Sequence, residues 1–179
     1  MKPLAYLLLF ALLGCATSNN LNAEFDDSVD FEAYETFVLC VDDFFVENTS
    51  YPEYDNLEIR QLIGKEVEKQ MINRGHRTNV MKPQLQAGFR ILLDHEEVVF
   101  TNCDVQTEYG YWKTCTINRE VYTTETLVLH VSDIEKNQVI WQAKIDCDFN
   151  RSSKALEDYT KEIVETVFNE YPRASDLAL

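Results

Sequence analysis

The feature that most constrains the fold is the unbroken alternation from Ile140 to Phe149. Trp141, Ala143, Ile145, Cys147 and Phe149 fall on one side, and Gln142, Lys144, Asp146 and Asp148 on the other. Successive side chains of an extended strand point to opposite faces, so this segment reads as a strand with one apolar and one wet face. A helical period of 3.6 would scatter the same residues around a cylinder. Such a strand needs neighbours for its backbone and a cover for its apolar face. Thr126 to Ser132 supplies one neighbour, with Leu127, Leu129 and Val131 on one side. The polar stretch Asp133 to Gln138 joins the two as a hairpin.

Further strands are expected at Thr36 to Val41, a short apolar run bounded by acids, and at Ala87 to Phe100, where Phe89, Ile91 and Leu93 share a face. The acidic and aromatic stretch from Asp42 to Asp55 reads as a connection. The cover comes from two helices. Asp55 and Glu58 resemble a capping box. Ile59, Ile63, Val67 and Met71 then recur every four residues beside Leu62, with Gly75 placed for a left-handed C-terminal cap. Glu58, Arg60, Lys65, Glu66, Glu68 and Lys69 fall mostly on the opposite, solvated side. A second helix is expected from Ser153 to Tyr171, burying Leu156, Tyr159, Ile163, Val167 and Phe168 and stopped by Pro172. The fold class that follows is α+β: a small, mostly antiparallel sheet with two amphipathic helices packed on one face. One domain spans 25–172, with a C-terminal tail at 173–179.

The amino terminus reads as an address. Lys2 precedes the uncharged apolar run Leu4 to Leu13, which is shorter than the roughly 20 residues that cross a bilayer. Leu12-Leu13-Gly14-Cys15 follows and resembles the lipobox of bacterial lipoproteins, which makes 1–14 a signal peptide and Cys15 the lipidated residue. An ordinary secretory signal cut after Ala16 is the alternative. Each buried acyl methylene contributes about 0.8 kcal/mol, so two or more chains on Cys15 would form a lasting membrane anchor. Ala16, rather than Asp, after the cysteine resembles the outer-membrane sorting pattern. Residues 15–24 then serve as lipidated cysteine and flexible tether, small and polar from Ala16 to Ala23.

Charge narrows the partners. The 179 residues hold 31 Asp and Glu against 16 Lys and Arg, a net −15. Phosphate backbones need clustered cations to displace their counterions, so nucleic acid is excluded as a partner, as is adhesion through a polybasic surface.

The order of parts resembles a known family. Asp30-Phe31-x-x-Tyr34-x-Thr36-Phe37 is similar to its opening motif, and Arg74-Gly75-His76 to the end of its long helix. Thr126-Leu127-Val128-Leu129 to Asp133, followed by Lys136-Asn137-Gln138-Val139-Ile140-Trp141, resembles its hairpin. The family is a set of bacterial envelope lipoproteins catalogued as domain of unknown function 4136. Glu125 stands where the family pattern has Gly, and Asn137-Gln138 where it has Thr-Gly. The resemblance implies a fold and an envelope location, and it carries no catalytic residues.

Four cysteines remain besides Cys15, and an oxidising compartment invites disulfides. Cys103 and Cys115 flank a short loop and could face each other across a hairpin. Cys40 and Cys147 could pair if their strands are neighbours, or stay as two buried thiols. The loop Tyr109-Gly110-Tyr111-Trp112 offers three aromatics, either as a stacking platform for a glycan or partner protein or as a cover for the sheet.

His76, His95 and His130 form no HExxH pattern, and no Cys-x-x-Cys exists, so neither metal nor cofactor has a motif. Asp94-His95-Glu96-Glu97 alternates across a strand edge, and Asp26-Asp27-Ser28-Val29-Asp30 lacks the Gly and Glu of a calcium loop. Ser132 near His130 lacks a nucleophile elbow. Three readings of function follow. The leading one is a non-enzymatic interaction or structural module of the cell envelope. A glycan or small-molecule binder using the 109–112 loop is second, and a hydrolase without a recognisable motif is third.

Overall fold

The computed structural model describes residues 20–104 and 114–172. Its elements are β1 (Leu21–Phe25), β2 (Thr36–Leu39), α1 (Leu57–Asn73), β3 (Arg77–Thr78), β4 (Leu85–Asp104), β5 (Thr114–Asp133), β6 (Gln138–Cys147) and α2 (Ser153–Phe168). Six strands form one sheet in the order β1-β6-β5-β4-β2-β3. The pairings β1–β6, β6–β5 and β5–β4 are antiparallel, whereas β2 pairs with both β4 and β3 in parallel. The class is α+β, but the sheet is mixed rather than small and mostly antiparallel. Its parallel part follows from α1, because a strand that returns through a helix re-enters alongside its predecessor.

The core lies between the sheet and the helices. Phe89, Ile91, Leu127, Leu129, Ala143 and Ile145 meet Ile59, Ile63, Val67 and Met71 of α1 and Leu156, Ile163, Val167 and Phe168 of α2. α1 ends as expected. Gly75 has φ 96°, its N–H bonds Ile72 O at 3.0 Å, and His76 N–H bonds Met71 O at 3.2 Å. These two bonds close a Schellman motif around a residue that benefits from lacking a Cβ.

The start of α1 differs. Asn56 is the cap, its side chain accepting from Ile59 N at 3.0 Å. Asp55 instead turns inward to Arg60, and both side chains are wholly buried. Arg60 was expected on the solvated side, as was Glu66, which is also buried. For Arg60 the cause is the 42–44 turn, which accepts its guanidinium at Asp43 O, packs Phe44 on Gly64 and closes that flank of the helix.

Leu21–Phe25 is an edge strand rather than tether. Leu21 and Ala23 pack against the core, but so short an alternation of small side chains is a weak signal. The larger difference is the length of β4 and β5. Beyond the Leu93–Glu125 pair neither strand pairs with a third strand among the described residues, so the two continue as a two-stranded ribbon to Asp104 and Thr114, with the Tyr51 ring 4.3 Å from that of His95 near its base. At about 3.3 Å per residue that ribbon projects about 35 Å from the body.

Candidate functional site

The stretches that carry the family resemblance meet at the end of the sheet opposite the ribbon. Asp30 caps the turn at Phe31–Ala33 by accepting from Glu32 N at 3.1 Å, which sets Tyr34 beneath the end of α1. The Tyr34 hydroxyl donates to Asp133 Oδ2 at 2.7 Å, and Lys136 Nζ lies 3.2 Å from the same oxygen. Lys136 N–H donates to Asp133 Oδ1 at 3.0 Å. Burial alone would raise the Asp133 carboxyl, but the Lys136 backbone, the Tyr34 hydroxyl and the Lys136 ammonium outweigh it and hold it below the usual range.

His76 is the pivot between these stretches. Its Nδ1 lies 2.9 Å from Tyr34 O and its Nε2 lies 3.2 Å from the Tyr171 hydroxyl. A carbonyl oxygen can only accept, so Nδ1 carries the proton and the neutral Nε2 accepts from Tyr171. Burial lowers the His76 pKa and raises that of Tyr171, in keeping with a neutral ring and a neutral phenol.

Around this pair lies a cleft of about 810 Å³, whose lining includes Phe31, Glu32, Tyr34, Arg74, His76 and Tyr171. The Arg74 guanidinium donates to Phe168 O. Chemically the cleft offers aromatic edges, a cation and an anion. Both nitrogens of its imidazole are spent on the fold, which suits recognition better than proton transfer.

A second polar group lies within the flank of α1. Arg60 Nε and Nη2 donate to the two Asp55 oxygens at 2.6 and 2.8 Å, and Nη1 donates to Asp43 O at 2.6 Å. Burial would raise the Asp55 carboxyl, but hydrogen bonds from Arg60 and Asn48 overcome it and hold it low. Asp43 Oδ2 accepts from Phe89 N at 2.9 Å, supplying the bond that β4 lacks where β2 has ended. That carboxylate and the His130 ring both sit over Gly88, 2.3 and 2.6 Å from where a Cβ would lie. The sequence places Asp43 in a connection and Asp55 at a helix cap, and neither expectation includes the buried pair with Arg60. The signal that could have exposed them is Gly64, since a mid-helix Gly that weakens α1 needs a close neighbour to justify it.

At the base of the ribbon, Glu125 is buried, its Oε2 accepting from Phe149 N at 2.9 Å. Burial raises its pKa to about 7.

The remaining expected sites distribute as follows. Cys15 and the loop residues Tyr109, Tyr111 and Trp112 lie outside the described residues. Cys103 and Cys115 stand directly opposite each other in the β4–β5 register. Cys40 and Cys147 are free thiols and do not pair. Their strands are separated by β4 and β5, an offset of about 14 Å at the usual strand spacing, against a disulfide Cα limit of roughly 7 Å. Burial raises both thiol pKa values, so both are weak nucleophiles. His95 bonds Thr123 Oγ1 at 3.0 Å on the exposed ribbon. Asp26 accepts from Ser28 N and Oγ at 2.9 and 2.6 Å, a local turn.

The profile of the family described as Domain of unknown function (DUF4136) matches residues 21–173. The chain belongs to the DUF4136 family. Among solved structures, a DUF4136 family protein from Bacteroides thetaiotaomicron is 14% identical, with a TM-score of 0.53 and coverage of 88% of this chain and 97% of that one. A PDZ domain protein from Parabacteroides distasonis is 13% identical, with a TM-score of 0.56 over 87% of this chain. This chain spans only 36% of the length of that protein. At such identities the likeness shows the fold. No curated protein matches the sequence.

Proposed function

We propose that this DUF4136 protein is a lipid-anchored, non-enzymatic interaction module of the cell envelope, held through Cys15 at the outer membrane, with the His76 cleft as its recognition surface. The observation that carries the reading is the convergence of three separate sequence stretches on one cleft. The opening turn gives Phe31 and Tyr34, the end of α1 gives Arg74 and His76, and the chain after α2 gives Tyr171, while Asp133 and Lys136 of the hairpin bond the Tyr34 hydroxyl. Such convergence costs a fold more than a core alone requires, and the chemistry gathered there is that of contact rather than turnover.

The strand directions support the anchor. β1 runs away from its amino end, so the segment leading back to Cys15 leaves the sheet at the end opposite the cleft. A lipid on Cys15 would therefore leave the cleft facing away from the bilayer.

Two measurements test the two halves. Labelled palmitate should appear on the wild-type chain and vanish in Cys15→Ser; an unlabelled wild type refutes the anchor. Glu32→Lys on the cleft rim should abolish association with an envelope partner while leaving the circular dichroism unchanged. Hydrolytic turnover lost on His76→Gln would instead favour an enzyme.

A further inference from the structure

The ribbon formed by β4 and β5 beyond Leu93 and Glu125 has an unusual surface. Val99, Ile117 and Val121 are 53%, 62% and 65% exposed, and alternation places them on the helix side of the ribbon. Phe100 and Tyr122, 45% and 49% exposed, lie on the other side. Charge is graded along its length. Asp94, Glu96 and Glu97 stand near the base, whereas Val98 to Thr101 is uncharged and faces Glu120, Arg119, Asn118 and Ile117 in turn across the pair. The charges that remain there are locally engaged: Arg119 pairs with Glu97 at 3.3 Å, and Glu120 accepts from the Tyr122 hydroxyl at 2.7 Å.

An isolated two-stranded hairpin is marginal in water, and this one exposes apolar side chains on both faces. A flat protein partner would select a stripe on one face; apolar groups on both favour immersion in a medium.

The topology says which medium is near. Leu21 is level with Ile145 and Leu127, and β1 begins at the end of the sheet from which the ribbon projects. The six residues from Leu21 back to Cys15 span at most about 20 Å. From the same level the hairpin continues for about 40 Å. Its distal half therefore reaches beyond the furthest point available to the anchored cysteine.

We infer that the distal β4–β5 hairpin contacts the bilayer that carries the lipid on Cys15, with Val99, Phe100, Ile117, Val121 and Tyr122 in its interfacial layer. This inference rests on the lipid-anchor reading above. The ribbon lies along the interfacial layer rather than across the bilayer, because its open edges carry N–H and C=O groups that hydrocarbon would leave unsatisfied. Neutral lipid is the matching surface, since acids at the ribbon base are repelled by anionic headgroups.

The test uses the mature chain with Cys15→Ser, so that no acyl chain contributes, and vesicles of phosphatidylcholine and phosphatidylethanolamine. A measurable fraction should float with the vesicles. The variant Val99→Asp/Ile117→Asp/Val121→Asp should float about tenfold less or lower, as expected for three charges replacing buried apolar side chains. Met81→Asp, at a still more exposed apolar residue at the opposite end of the sheet, should float like the parent. All three positions are on the surface, and unchanged circular dichroism checks that the body remains folded. No flotation of the parent, or equal flotation of the triple variant, overturns the inference. So does a concentration-dependent dimer that the same substitutions abolish in the absence of vesicle binding, which would make a second copy the occupant. Palmitate labelling is read separately: if it fails while flotation holds, the anchor falls and the hairpin contact stands.

Discussion

Glu125 offers the sharpest test of the packing at the base of the ribbon. Its carboxyl is buried where β5 leaves the body, beside the end of β6, with Asp148 raising and Arg151 lowering its pKa less than burial does. Its pKa rises from 4.5 to about 7. The group is therefore neutral in the fold up to near pH 7 but ionised in the unfolded chain above pH 4.5. The sign follows directly. The unfolded state binds fewer protons across that window, so stability is full below 4.5 and falls as pH rises toward 7. At 1.36 kcal/mol per unit the loss is about 3 kcal/mol at most. Glu125→Gln keeps an oxygen to accept from Phe149 N and removes the titration. Urea unfolding of both chains at pH 5 and pH 8 gives the double difference. His76 and His130, whose pKa values are lowered chiefly by burial, titrate in both chains and cancel. The two chains should be nearly equal at pH 5, and the Gln chain more stable by about 3 kcal/mol at pH 8. A difference that does not change between the two pH values refutes the reasoning.

Two further predictions rest on buried contacts and a third on strand register. Arg60→Met strands the Asp55 carboxylate without its partner and should cost about 3–5 kcal/mol, whereas Arg60→Met with Asp55→Leu should recover most of that loss in chemical denaturation. Gly88→Ala drives a methyl into the Asp43 carboxylate and the His130 ring, so thermal unfolding should show a loss of about 1–3 kcal/mol. Cys103 and Cys115, opposed in register, are expected to bridge in exported protein; non-reducing mass analysis should find the bond, and its loss should cost about 2–3 kcal/mol.

How legible the fold was depended on whether a signal was local. The Ile140–Phe149 alternation and the four-residue stripe from Ile59 to Met71 each bury one face, and both elements stand where the pattern put them. Gly75 was readable because one backbone conformation there excludes most side chains. The ends of β4 and β5 were not, because past Leu93 the ribbon gains little beyond the Tyr51 ring on His95 and so leaves no burial pattern. The parallel strand order depended on where α1 returns the chain, which periodicity does not encode. Arg60 was misplaced because its burial comes from Asp43, Phe44 and Asp55, residues whose own composition reads as a wet loop. Part of the cleft's lining lay in the quoted motifs, at Phe31, Tyr34, Arg74 and His76, yet only the fold brings them together beside Tyr171.

The central claim is that the His76 cleft is a contact surface turned away from the membrane anchor. A photoreactive amino acid placed at Glu32 in the full-length chain, expressed in its own cells, tests this most directly. The same probe at Lys154, exposed at the start of α2, is the reference. The account predicts one discrete envelope adduct from position 32 that disappears when Arg74→Glu is added, and none from position 154. Equal labelling from both positions, or an adduct from 32 that is insensitive to Arg74, would contradict it.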